Sequence, residues 1–140
     1  MIFLDTSVLI ATAQVSHPHH TSSRELWKLC AREETAVSTH TLAEIYSTLT
    51  GMPPGLRLAP RDAVAAIETF LKRLTPVTLS PQEYVEAMRR TANLGLSGGM
   101  ISDALHLACA RKVNAQHIYT WNDKHLRLVA PDLADRISTP

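Results

Sequence analysis

The apolar residues of this chain fall into short runs separated by longer stretches with helical periodicity. Met1–Leu4 is continuously apolar, as expected of a strand buried on both faces of a parallel sheet. Thr35–Ser38, Pro76–Leu79 and His117–Thr120 are further strand candidates, and Arg136–Ser138 is a short fifth. Between them Leu42, Ile45, Tyr46 and Leu49 recur at the i, i+3, i+4, i+7 spacing of one helix face. Val64, Ile67, Leu71 and Leu74 form a similar stripe behind Pro60 and Asp62, and Tyr84, Val85, Met88 and Ala92 another behind Pro81. Ile101, Ala104, Leu105 and Ala108 mark a helix after the breaker Ser97-Gly98-Gly99. An earlier helix, carrying Leu26, Trp27 and Cys30, is entered through His17-Pro18.

Strands alternating with helices predict β-α-β units, and so an α/β fold of three layers. A central parallel sheet of about five strands would carry helices on both faces. At 140 residues the chain suits one domain spanning 1–140, and the connector Gly51–Gly55 is too short to divide it.

Composition narrows the function classes. The formal net charge is +1, far from the strongly basic balance of a protein that coats nucleic acid. Two cysteines, Cys30 and Cys109, lie far apart with no Cys-x-x-Cys pair, which argues against a disulfide framework or a thiolate zinc site and for a reducing cytoplasm. No apolar run reaches membrane-spanning length, and Met1–Asp5 meets an acid without a basic leader, unlike a signal peptide.

In open α/β sheets ligands gather outside the carboxyl ends of the strands. Asp5 directly ends the first strand, and Glu44 lies one turn into the helix after the second. Asp103 sits in the first turn of the helix that returns to the fourth strand, and Thr120, Asn122 and Asp123 follow that strand. Each acid has a plain reading by itself. Asp5 caps the helix from Thr6, Glu44 is a solvated helix residue, Asp103 faces a helix dipole, and Asp123 makes a turn with Asn122. Only a shared site accounts for all of them together. Hard oxygen donors without paired Cys or His suit Mg²⁺ or Mn²⁺, whose chemistry includes phosphodiester hydrolysis.

Met1-Ile2-Phe3-Leu4-Asp5-Thr6-Ser7-Val8-Leu9-Ile10 resembles the opening of PIN-domain ribonucleases, in particular the VapC toxins of toxin–antitoxin pairs. The likeness continues through Thr41–Tyr46, Leu96–His106 and Tyr119–Leu126, in the family's order and over nearly the whole chain. It implies a PIN-like sheet, an Mg²⁺- or Mn²⁺-dependent endoribonuclease, a homodimer, and a VapB-type antitoxin that reaches into the acidic site. Asp5, Glu44 and Asp103 match the family's metal-binding acids, and Thr6 and Thr120 its hydroxyl positions. Where many members have Thr-x-Asp, this chain reads Thr120-Trp121-Asn122, so either Asn122 or the adjacent Asp123 is the fourth ligand.

Around this site lie further candidates. Arg24, Lys28, Arg32, Arg89, Arg90, Lys124 and Arg127 are basic groups able to hold an RNA backbone, with Lys124 and Arg127 nearest the site in sequence. Trp27 and Trp121 offer stacking surfaces, although Trp27 lies on a helix stripe that suits core or dimer interface. The proline-rich stretch Met52–Pro60 would border an RNA groove. His40, His106 and His125 are placed to contact phosphate. The cluster His17, His19 and His20 reads as a loop entering a helix in preference to a metal site. A non-catalytic PIN-like module that binds RNA or antitoxin is the rival from another class. A haloacid-dehalogenase-like phosphatase would want an acid where Ser7 stands, and the chain has no Gly-x-x-x-x-Gly-Lys loop.

Overall fold

The most apolar strand lies at the middle of the sheet. In the computed structural model, β1 (Ile2–Leu4) pairs in parallel with β2 (Thr35–Ser38) on one side and β4 (His117–Tyr119) on the other. β3 (Thr75–Val77) and β5 (Ile137–Ser138) complete a five-stranded sheet of order β3-β2-β1-β4-β5, parallel throughout. The structure describes residues 1–140 apart from the side chain of Arg32, so that basic candidate lies outside the described residues.

Alternation along the strands divides the core into two halves. Phe3, Ala36, Val77, Ile118 and Ile137 face a layer made by α5 (Pro81–Asn93), α6 (Met100–Lys112) and α7 (Asp123–Val129). Ile2, Leu4 and Val37 face the other layer, made by α1 (Thr6–Ala13), α2 (His20–Leu29), α3 (Thr39–Gly51) and α4 (Pro60–Leu71). The expected three-layer α/β arrangement is therefore present. Because β1 continues to neither sheet edge, the chain runs outward from it in both directions, and this reversal of strand order opens a crevice at its carboxyl end. No helix among the described residues is long and apolar enough to cross a membrane.

The helix stripes turn differently from their sequence reading. In α3, Ile45 and Leu49 are buried with Thr41, while Tyr46 faces out. In α4 the buried residues are Ala63 and Phe70, and Val64 is exposed. α5 buries Ala87 and Thr91 and leaves Val85 and Met88 on the surface. At Thr41, Ala63, Ala87 and Thr91 a small side chain takes the buried position, because a helix packed closely on a neighbour admits an Ala or Thr at the contact, while Ile45, Leu49 and Phe70 fill the core beside them. β3 also begins one residue early and stops before Thr78. Its Pro76 is tolerated because β3 is an edge strand, where the missing N–H leaves no central ladder incomplete.

Two substitutions test this register. Phe3 is fully buried in the central strand, so Phe3→Ala should lower unfolding free energy by about 3–5 kcal/mol in urea titrations. Val64→Ala should change it by no more than about 0.5 kcal/mol, and a loss of core magnitude there would mean that α4 is rotated from the orientation described.

Candidate active site

The chain turns from β1 into α1 with no intervening loop, and Asp5 is the residue at the turn. Its N–H donates to the Tyr119 carbonyl at 3.0 Å, which ties it to β4. One carboxylate oxygen, Oδ2, accepts from Ser7 Oγ at 2.6 Å and from Thr120 Oγ1 at 2.8 Å, with a longer contact of 3.4 Å from the Ser7 N–H at the helix start. Asp5 therefore does cap α1. The other oxygen, Oδ1, takes none of these donors and lies 4.0 Å from His106 Nε2. A cap and a site ligand are compatible in one residue here, because the two oxygens face different partners.

Glu44 enters from α3. Its Oε2 accepts from the Thr6 hydroxyl and, at 2.8 Å, from His106 Nε2, while Oε1 lies 3.3 Å from His40 Nε2. Burial acts to raise the Glu44 pKa, but the hydrogen bond and charge of His106, with Thr6 and His40, outweigh it and hold the carboxyl at about 2. His106 is 2% exposed. Burial favours its neutral form, yet the Glu44 hydrogen bond and the charges of Asp5, Glu44 and Asp103 carry its pKa upward. Asp103 stands in the first turn of α6, preceded by Gly98, whose φ of +62° makes the tight entry to that helix. Burial and then the nearby Asp5 carboxylate raise the Asp103 pKa, against the opposing pull of His106 and His125.

Asp5, Glu44, Asp103 and Asn122 line a single cleft of about 490 Å³ at the carboxyl end of β1. Thr6 and Ser7 also line it, His106 sits at its base, and Ser47 and Thr48 extend the hydroxyl-rich wall along α3. No Lys or Arg of the described residues does so. Thr120 lies behind this surface, fully buried, bracing Asp5 and accepting from the Asn122 N–H at 2.9 Å. Asp123, the alternative fourth ligand, is not in the lining. It occupies the first turn of α7 with its carboxylate 3.8 Å from Arg127 Nε. Among the described residues, no three His, Cys, Asp or Glu side chains are gathered into a ready-made metal cage, and Glu44 is engaged by His106.

Several expected contacts are spent elsewhere. Arg127 donates to the carbonyls of Ala134 and Ile137, so it braces the chain around β5 and is not an open phosphate contact. Trp27 is buried edge-on to Phe70 beneath the Arg73 guanidinium. Lys28 pairs with Glu25, and Arg89 and Arg90 with Glu86. A second hollow, about 290 Å³ between α5 and α6, is rimmed by charges that are also paired, among them Lys112 with Glu83 at 2.8 Å. It gathers no acid cluster. Two residues central to the geometry, His106 and Ser7, were not singled out by sequence as parts of the acid cluster. The signal for His106 was its position three residues after Asp103, which puts both on one face of α6.

A parallel sheet of this order with acids at the carboxyl end of its central strand is the layout of a PIN domain, and the PIN domain family model matches residues 2–131. The chain belongs to the PIN-domain family. It is 36% identical over 114 residues to Ribonuclease VapC27 of Mycobacterium tuberculosis, an alignment covering 81% of this chain and 79% of that protein. Among solved structures it superimposes on VapC20 of M. tuberculosis, a Sarcin-Ricin loop cleaving toxin, with TM-score 0.73 and 23% identity over 89% of this chain and 92% of the other. It is similar in fold to VapBC2 from Rickettsia felis bound to a promoter DNA fragment, with TM-score 0.70 and 24% identity over 99% and 98% of the two chains.

The Glu44–His106 pair has a measurable signature in protein freed of metal by EDTA. The raised His106 pKa means that its contribution to stability is fully present below pH about 6.5 and is lost as pH rises through the folded-state value. The lowered Glu44 pKa means that its contribution is present above pH 4.5 and is lost as pH falls toward about 2. An NMR titration of the His106 ring should give a midpoint above 6.5 that falls in Glu44→Gln; an unchanged midpoint would mean that the pair does not form in solution.

Proposed function

We propose that this chain is an Mg²⁺- or Mn²⁺-dependent endoribonuclease, the toxic member of a toxin–antitoxin pair, acting in the cytoplasm on phosphodiester bonds of RNA. The observation that carries this reading is the convergence of Asp5, Glu44 and Asp103, from three separate helices and strand ends, on one cleft that no Lys or Arg of the described residues lines. The relationship to a VapC ribonuclease supports the choice of substrate.

The donor set fits a hard divalent cation: carboxylate, hydroxyl and amide oxygens, with no thiolate. Such an ion, when bound, lowers the pKa of a coordinated water and offsets charge developing on a phosphoryl oxygen. Asp5 and Asp103 would hold it as the main ligands, Asp5 through the oxygen left open by Ser7 and Thr120. Glu44 would join from the α3 wall. The lining favours Asn122 over Asp123 as the fourth polar group, its amide oxygen orienting water or ligand. A carboxylate of the cluster accepts the proton of the attacking water, and His106 keeps Glu44 ionised and fixed. The surface apolar residues Val85 and Met88 on α5 and Val64 on α4 are the kind that a second copy or a VapB-type antitoxin would cover.

Cleavage of total cellular RNA tests the reading. EDTA should abolish cutting, and Asp5→Asn or Asp103→Asn should each reduce it by at least about 100-fold. Asn122→Ala should reduce it by about 10- to 100-fold, whereas Asp123→Ala should change it little. Undiminished cleavage in Asp5→Asn would overturn the site, and growth arrest that outlasts the loss of all three acids would favour the non-catalytic binding module.

A further inference from the structure

The acidic cleft does not end at Asn122. A neighbouring hollow of about 440 Å³ shares Ser7, Ile10 and Asn122 with it and continues outward to His17, Pro18, His19 and Trp121. Its character is different, for no charged carboxylate, Lys or Arg of the described residues lines it. Trp121 is locked in place: its ring Nε1–H donates to Ser23 Oγ at 2.9 Å, and its backbone N–H donates to Ser7 Oγ at 2.9 Å. The His19 ring lies flat on it, with centroids 3.7 Å apart and planes 8° apart. His17 stands 5.6 Å from His19, tilted by 46°.

The histidines are held as flat rings and not as a metal cluster. The His19 N–H donates to His17 Nδ1 at 3.1 Å, which leaves Nε2–H as the donor of the neutral His17 ring. Burial, with His19 and His20 nearby, lowers the His17 pKa and favours that neutral form. His20 Nδ1 is engaged with the Ala11 carbonyl at 2.8 Å, and among the described residues no metal-holding group includes these rings. An aromatic wall lined by no carboxylate, Lys or Arg of the described residues suits the planar part of a nucleotide better than its phosphate. Ser7 bridges the two hollows, with its hydroxyl 2.6 Å from Asp5 Oδ2, so a base seated here would belong to a nucleotide flanking the phosphate in the acidic cleft.

We propose that His19 and Trp121, with His17 and Pro18, form a subsite that stacks one unpaired nucleobase of the RNA beside the scissile phosphate. This rests on the ribonuclease reading, and it makes the substrate single-stranded or unstacked at that nucleotide. Stacking of this kind tolerates any base, so the subsite selects for an exposed base more than for its identity. It also gives the His17-Pro18-His19 loop a role that neither capping nor metal binding supplies.

The test is a coupling measurement on a short labelled single-stranded oligoribonucleotide, whose cleavage site, where it is cut, is mapped with the protein that retains Asp103. Binding is measured by fluorescence anisotropy in Mg²⁺, in an Asp103→Asn background that leaves the RNA uncut, with an abasic residue placed at each position in turn. One position flanking the cleavage site should show a loss of about 5- to 100-fold in affinity when abasic. His19→Ala should weaken binding of the intact oligonucleotide by a similar factor and be indifferent to the abasic change, and His19→Phe should restore both. His19 is exposed, so its replacement does not unsettle the core, and Trp121→Phe gives a second variant that keeps a stacking face. An abasic penalty of the same size with and without His19, or no penalty at any position, would overturn the subsite. Cleavage of the same oligonucleotide by protein with Asp103 intact reads the ribonuclease assignment separately. Coupling without cutting leaves a base-binding site and removes the nuclease, and cutting without coupling does the reverse.

Discussion

Four hydrogen bonds engage the N–H and carboxylate of Asp5, and the rest of the site is arranged around them. Its N–H reaches Tyr119 on β4, and its Oδ2 gathers the Ser7 hydroxyl, the Ser7 N–H and the Thr120 hydroxyl. The residue is 4% exposed, so an ionised carboxylate here needs these donors to offset its lost hydration. They also fix which oxygen remains for other work. Remove the Ser7 and Thr120 hydroxyls and the two shortest contacts that hold Oδ2 are lost. The carboxylate would then keep only the longer Ser7 N–H contact at Oδ2, while the backbone pairing of β1 with β4 remains.

That single arrangement leaves the other acids uncompensated, and the fold deals with each differently. Glu44 is neutralised by His106 and His40 and stays firmly ionised. Asp103 has no such partner at hydrogen-bonding distance among the described residues, and burial and then the Asp5 charge push it toward its protonated form. The cleft is thus electrostatically divided. The α3 wall is balanced by imidazole, while the wall between Asp5 and Asp103 concentrates negative charge that a cation would relieve.

The strands and the acids were legible because they depend on short-range rules. Met1–Leu4 reads as a buried strand wherever it is placed, and an acid directly after a parallel strand must come to the carboxyl edge. Helix rotation was less legible, because it is decided by what packs opposite. Val64 and Ala63 are adjacent, and only the proximity of α3 selects Ala63 for the interior. The same holds at the site, where Asn122 and Asp123 are equivalent in sequence. Thr120 accepts the Asn122 N–H and turns that residue into the cleft, while helix geometry sends Asp123 toward Arg127. His106 was visible as a helical neighbour of Asp103, but its pairing with Glu44 spans 62 positions and no local pattern encodes it.

The central position of β1 also carries a consequence for the order in which the site assembles. Asp5 emerges well before its Thr120 brace, which lies 115 positions later in the chain. Until β4 and the turn after it have emerged, the early strands can pair with each other, but the acid at residue 5 has no fixed orientation and Asp103 has no sheet edge to return to. The cluster therefore assembles late and all at once, by closure of a long-range contact instead of gradual growth. A chain that ends short of β4 would thus carry the acids of the cluster without the geometry that joins them.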